Sequence, residues 1–159
     1  MKWSDRALLK LFVASAAAAK TQAKEFIRGC SKENIEFIPW WDRFPAGGTL
    51  LDELEKISTE VHGAIIILSP EGVAVNSKGT EIVIPNLNVL FEFGYFFSRF
   101  GKNNVVVVKY GLVNLPSDLN GYIHVFGSNF FKPNAKTQIS KRTLKEFDKW
   151  YDSFLTAGR

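Results

Sequence analysis

Gly63-Ala-Ile-Ile-Ile-Leu68 is a near-continuous apolar run, the pattern of a strand buried on both faces. Such strands belong to the middle of a parallel sheet with helices on either side. Val105-Val-Val-Val-Lys109 reads the same way. Working outward, Leu8 to Ser15 reads as a strand ending in small residues, and Lys20 to Ser31 as a helix. Ala23, Phe26 and Ile27 share one face of that helix, and Ala, Lys, Gln and Glu favour it. Ile35 to Ile38 is a short strand ended by Pro39, followed by the loop Trp40-Trp-Asp-Arg-Phe-Pro-Ala-Gly-Gly48. Thr49 is an expected N-cap, with Asp52 and Glu53 in the first turn, where the helix dipole favours anions. Leu50, Leu54, Ile57 and Val61 then form a helical stripe.

Beyond Leu68, Ser69 to Leu87 reads as a long loop. Pro70, Gly72, Gly79 and Pro85 argue against a regular element there, Glu81 to Ile84 being the part that can extend. Asn88 is the expected N-cap of a helix running to about Phe100 and closed by Gly101. Leu115 to Leu119 is a turn or short helical piece, and Tyr122 to Phe126 a last short strand. Ile139 to Leu155 is amphipathic, with Leu144, Phe147, Trp150, Tyr151 and Phe154 inward. Strands alternate with helices, so the expectation is one α/β domain over residues 1–159. Its sheet is mostly parallel, with about five strands in the flavodoxin-like order 2-1-3-4-5 and helices on both faces. The domain is either a whole protein or the N-terminal module of a longer one.

Composition narrows the function classes. The 159 residues are 46% hydrophobic and 23% charged, which suits one folded core. The net charge of +4 is modest, and the cluster Lys136, Lys141, Arg142, Lys145 is interrupted by Glu146 and Asp148. It reads as a solvated helix face, not a nucleic-acid patch. The single cysteine, Cys30, excludes an internal disulfide, and with two histidines gives no metal-site spacing. Lys2, Arg6 and Lys10 before Leu11–Ala19 mimic a signal peptide, but the run is short and supplies the first strand. The expectation is a cytoplasmic protein. No run reaches the ~18 apolar residues of a membrane span.

Within Pro85–Phe97, Glu92 is the lone charge in an otherwise uncharged, mostly apolar stretch. A carboxylate there must find a partner, stay protonated or serve chemistry. In the expected topology, ligands gather at the carboxyl ends of the strands. That rim holds Ser15, the loop residues Trp40, Trp41, Asp42, Arg43 and Phe44, then Ser69, and the Asn88 helix start with Glu92 one turn in. A phosphoacceptor receiver domain fails, because its acidic positions are taken by Ser15 and Ser69. No Gly-x-Gly-x-x-Gly, Walker lysine pattern or Gly-x-Ser-x-Gly elbow occurs. The remaining set fits a nucleotide-like ligand, with aromatic rings for stacking and Arg43 for phosphate. A lone carboxylate suits cleavage of an N-glycosidic bond, whose transition state is a sugar cation. Each residue also has a plainer reading. Glu92 can rest near a helix N-terminus, the loop aromatics can pack on themselves, and Ser15 can simply close a strand.

Asn88-Val-Leu-Phe-Glu-Phe-Gly-Tyr-Phe96 resembles the Asn-Val-x-Phe-Glu-Leu-Gly-x-Phe signature of bacterial TIR-like domains in anti-phage systems triggered by cyclic nucleotides. Leu115-Pro-Ser-Asp-Leu-Asn-Gly121, Thr49-Leu-Leu-Asp-Glu-Leu54 and Ala64-Ile-Ile-Ile-Leu-Ser-Pro70 resemble further segments of that family, in the same order. The resemblance implies a TIR fold and NAD+ glycohydrolase activity, with Glu92 as the catalytic glutamate and Ser15 matching the family's serine after strand one. Phe44 falls near an aromatic of the loop termed BB, here Trp40–Gly48. The chain departs from the family where Ser15-Ala-Ala-Ala-Ala19 replaces Ser-Ser-x-Glu-Gly, and its BB loop is short. Substrate contacts are expected from Ser15, Trp41, Arg43, Phe44, Ser69 and Asn88. NAD+ enters as substrate, with neither metal nor recycled cofactor. The implied partners are other copies through Trp40–Gly48, and a cyclic-nucleotide sensor in cis or in trans; neither nucleic acid nor a membrane is expected. Two other readings stay open: a nucleoside deoxyribosyltransferase-like enzyme, and a TIR module that docks partners without catalysis.

Overall fold

The computed structural model describes residues 8–44, 49–119, 122 and 124–157. Residues 45–48 of the expected BB loop, the Asn120-Gly121 end of the Pro-Ser-Asp-Leu segment, and the basic residues before Leu8 lie outside them. The elements in chain order are β1 (Leu9–Ala14), α1 (Lys20–Gly29), β2 (Ile35–Pro39), α2 (Leu50–Glu60), β3 (Gly63–Leu68), β4 (Pro70–Val75), β5 (Glu81–Pro85), α3 (Leu87–Phe100), β6 (Val105–Tyr110), β7 (His124–Ser128) and α4 (Lys141–Ala157). The main sheet runs β2-β1-β3-β6-β7, all parallel. Without the β4–β5 pair this is the expected order 2-1-3-4-5.

The central strands are buried on both sides, so alternate residues feed two cores. Leu9, Leu11, Val13, Ile65, Ile67, Val106 and Val108 face α1 and α4, meeting Phe26, Phe147 and Trp150. Phe12, Ala14, Ala64, Ile66, Leu68, Val105 and Val107 face α2 and α3, meeting Leu54, Ile57, Val89, Phe93 and Phe96. Thr49 caps α2 as expected, its side chain accepting the Asp52 N–H. Gly101 ends α3 with φ 81, a conformation that suits glycine. Ser140 does the same service at the start of α4, accepting the Thr143 N–H at 3.1 Å; that helix begins two residues later than expected. No helix among the described residues is long and apolar enough to cross a membrane.

Two expectations are corrected. Ser69–Leu87 is not a long loop but an antiparallel hairpin, β4 with β5. Pro70 opens one strand, Pro85 ends the other, and Gly72 sits at a register shift between them. These are places where Pro and Gly cost a sheet little. The turn is built by Asn76, whose Oδ1 accepts the N–H groups of Lys78 and Thr80, with Gly79 at φ 76. The second correction is the cap of α3. Asn86, not Asn88, accepts the Val89 N–H at 3.1 Å, and its amide donates to Glu71 of β4 at 2.7 Å. Asn88 lies exposed in the first turn.

Candidate active site

The carboxyl ends of β1, β2 and β3 bring Ser15, the Trp40–Phe44 turn and Ser69 to one edge of the sheet, where α3 also begins. Glu92 stands one and a half turns into α3, on the face that carries Val89, Phe93 and Phe96 into the core. It is only 6% exposed, and its Oε2 has no hydrogen-bond partner among the described residues. Burial alone pushes its carboxyl up to about 7. A buried polar atom without a partner is uncommon in native folds and marks a candidate functional group. At neutral pH this one is poised between acid and anion.

Trp40 and Trp41 follow β2 in a 3₁₀ turn, with their rings edge-to-face at 5.8 Å. They part to opposite sides. Trp41 packs against the α1/α4 core, whereas Trp40 and Phe44 pack against the α2/α3 core that holds the Glu92 face. The Trp40 indole donates to the Ser15 hydroxyl at 2.9 Å, and Ser15 in turn donates to the Ala16 carbonyl at 3.1 Å. The Lys20 ammonium lies 5.9 Å from the Trp40 ring centre and 5.3 Å from that of Trp41, within cation–π range. Ala16 and Ala19 offer no side-chain cap to the Ala17–Ala19 turn and α1, and the Ala19 and Lys20 N–H groups donate to the Ala16 and Ala17 carbonyls. The Lys20 ammonium is thus the cationic group beside Trp40.

Phe44 is linked to the Glu92 face by ring contacts. It meets Phe12 edge-to-face at 6.1 Å, and Phe12 meets Phe96 at 5.0 Å. Phe96 is one turn from Glu92 along α3. Arg43 does not present a free fork to a phosphate. Its guanidinium closes on Glu60 through contacts of 2.5 and 2.9 Å, which hold the arginine pKa up and the Glu60 carboxyl down. Ser69 is buried at the end of β3.

The structure thus puts Ser15, Phe44 and Ser69 at the edge of the sheet where α3, the helix of Glu92, begins. It commits Arg43 to an ion pair, turns Trp41 toward the other core, and leaves Asn88 on the surface. Sequence reasoning placed Trp40 on the rim without giving it a contact, and missed Lys20. The serine directly before an alanine run, twenty-five residues ahead of a tryptophan, gives no hint of their bond. Among the described residues no group of three His, Cys, Asp or Glu side chains could hold a metal. Cys30 is buried, which pushes its thiol up to about 12 and leaves it no nucleophile.

Residues 10–127 match the family model for the CAP12/Pycsar effector protein, TIR domain. Three relatives are similar to this chain in sequence. Protein tirC of Dictyostelium discoideum is 39% identical over 50% of this chain, CD-NTase-associated protein 12 of Sphingobacterium faecium 28% over 70%, and the Pycsar effector protein BcPycTIR of Burkholderia cepacia 29% over 74%. The matched segments span 45%, 34% and 40% of those relatives' own lengths. The sheet order and the family match over residues 10–127 agree: this chain belongs to the TIR-domain family of CAP12/Pycsar effectors.

Proposed function

We propose that this chain is an NAD+ glycohydrolase that breaks the bond between nicotinamide and ribose, acting within an anti-phage effector. The observation that carries the reading is Glu92, a buried carboxyl whose Oε2 has no partner among the described residues, at the ligand edge of a doubly wound sheet. An anion left unpaired in the free protein is free to serve a cation that arrives with the substrate. In NAD+ the nicotinamide ring nitrogen is positive. As the C1′–N bond breaks, its electron pair goes to that nitrogen, neutral nicotinamide departs, and the ribose carbon becomes cationic. Glu92 as carboxylate stabilises that carbon until water adds and loses a proton, giving ADP-ribose. An internal nucleophile in place of water gives a cyclic product.

Trp40 walls the site on the Glu92 side of the sheet. The Lys20 ammonium receives the diphosphate, a task the sequence had suggested for Arg43. Contacts from Ser15, Phe44 and Ser69 complete the pocket. Names of two relatives tie them to a CD-NTase and to a Pycsar system, and on that likeness we assign the trigger to a cyclic-nucleotide sensor in cis or in trans. Self-association through Trp40–Gly48 would then couple sensing to catalysis, so activity per subunit should rise with protein concentration.

The deciding experiment follows nicotinamide release from NAD+ by chromatography, using concentrated or artificially clustered protein, wild type against Glu92→Gln. Release that vanishes in the variant supports the reading. Turnover of deoxynucleosides with NAD+ inert would replace it with a deoxyribosyltransferase-like enzyme. With no turnover of either, partner binding that survives Glu92→Gln would leave a docking module.

A further inference from the structure

The β4–β5 hairpin forms a two-stranded sheet of its own, apart from the main sheet. Such a pair is marginal without further strands or a packed face. Its two edges differ. On β5, Val83 donates its N–H to the Asn114 Oδ1 at 2.7 Å, and its carbonyl accepts the Asn114 N–H at 2.8 Å, so that edge is closed. In an antiparallel pair, residues directly opposite either exchange both backbone bonds or turn both groups away. Val83 turns its groups away from β4, so Val73 opposite it turns its own away from β5. The alternation repeats at Val75, two residues on. The turn agrees, because the next residue, Asn76, donates its N–H back to the Thr80 carbonyl. Val73 and Val75 thus point two N–H groups and two carbonyls out of the open edge of β4, where no described residue takes them.

Proteins usually guard such an edge with charge, proline or a bulge. Here the guards stand only at the ends, with Pro70 and the Gly72 register shift at one and the Asn76 turn at the other. Between them Val73 and Val75 are 64% and 66% exposed. The open groups are complementary to themselves. Turned about a twofold axis through Ala74, one β4 lies antiparallel to another, with Val73 opposite the second copy's Val75. Every outward N–H and carbonyl of both strands is then paired, and the valines of the two copies fall on one face as a cluster. The charges favour the same arrangement. Exposed Glu71 and Lys78 flank the valines at opposite ends, and neither is in an ion pair among the described residues. Antiparallel pairing brings the Glu71 end of each strand to the Lys78 end of the other, whereas parallel pairing sets Glu71 against Glu71.

We propose that the open edge of β4 is a dimer interface, on which a second copy of this chain adds its own β4 in antiparallel register about Ala74. The result is a continuous four-stranded sheet, β5-β4-β4-β5, across the two copies. The contact is isologous, so it closes at two copies. It is separate from Trp40–Gly48 and from Glu92, and does not depend on the NAD+ reading.

Sedimentation equilibrium of the full chain, from micromolar to submillimolar concentration, should show the mass doubling. Val73→Lys with Val75→Lys sets lysine opposite lysine at exposed positions. It should weaken association at least about tenfold and leave the far-ultraviolet circular dichroism unchanged. Cysteine variants then read the register, with oxidised glutathione as oxidant. Ala74 faces itself in a non-hydrogen-bonded pair, where Cα atoms lie about 4.5 Å apart, within reach of a disulfide. Ala74→Cys should therefore form a disulfide-linked dimer. Val73→Cys alone should not, but should do so when mixed with Val75→Cys. The native Cys30 is buried and does not compete. A chain that stays monomeric at the highest concentration, or a dimer that survives the two lysines, overturns the proposal. Equal cross-linking by all the cysteine variants would report random collision and overturn it as well.

Discussion

Glu92 costs this fold stability, and the cost has a definite pH dependence. An ordinary glutamate titrates near 4.5, whereas burial holds this one at about 7. Below pH 4.5 the folded and unfolded chains both carry the proton. Between 4.5 and 7 the unfolded chain has released it and the folded chain has not, so stability falls as pH rises, and above 7 the loss is complete. The full difference is on the order of 3 kcal/mol. Glu92→Gln removes the charge but keeps a buried amide, so part of that should return. We expect about 1–2 kcal/mol of added stability above pH 7, a melting temperature higher by a few degrees, and no gain at pH 4.5. Thermal unfolding at both pH values checks this, and an unchanged melting point at pH 8 would contradict a buried, unpartnered carboxylate. The same residue sets the activity profile. If the anion is the working form, kcat/KM should rise with pH through about 7 and then level off. A bound nicotinamide cation favours the carboxylate, so the midpoint of kcat should lie lower than that of kcat/KM. Coincident midpoints would mean that the cation does not sit against Glu92.

At the scale of elements, α3 matters because it delivers Glu92, and Asn86 is what starts it. The Asn86 side chain satisfies the Val89 N–H and also reaches Glu71, fastening the helix start to the hairpin. Asn86→Ala should therefore cost about 1 kcal/mol, while Asn88→Ala, at an exposed first-turn position, should cost a few tenths at most. Denaturant unfolding of the two variants separates the assignments. The contrast also shows what a sequence conveys. Two asparagines two residues apart are equally good caps by type, and local pattern cannot choose between them. The hairpin was hidden for a similar reason. Pro70, Gly72, Gly79 and Pro85 mark the ends, bulge and turn of short strands, but the same residues punctuate loops. Gly63–Leu68 and Val105–Lys109 were legible because burial on both faces leaves an unbroken apolar run. Glu92 was legible because a lone charge in such company needs a reason. Trp40 was not, because adjacent residues in a 3₁₀ turn go to opposite cores and composition does not say which goes where.

Across the whole molecule, the sheet divides the core in two. Phe147 belongs to the α1/α4 side, where it meets Phe26, Trp150 and Tyr151. Phe96 belongs to the α2/α3 side, against Phe12 and one turn from Glu92. Both rings are fully buried, so replacing either by leucine removes comparable packing and should cost on the order of 1–2 kcal/mol. Their effects on the carboxyl should differ. Burial is what raises the Glu92 pKa, and loosened packing at Phe96 admits water to that side alone. Phe96→Leu should therefore lower the Glu92 titration midpoint toward 4.5, whereas Phe147→Leu should leave it near 7 despite a similar loss of stability. Carbon-13 NMR of labelled glutamate, with Glu92 assigned through Glu92→Gln, reads both midpoints directly. Equal shifts in the two variants would mean that the sheet does not insulate the site, and that the Glu92 pKa follows global stability. A shift confined to Phe96→Leu would mean that the carboxyl is tuned by one layer of the sandwich. The α1/α4 layer would then be free to change without disturbing the chemistry at the sheet edge.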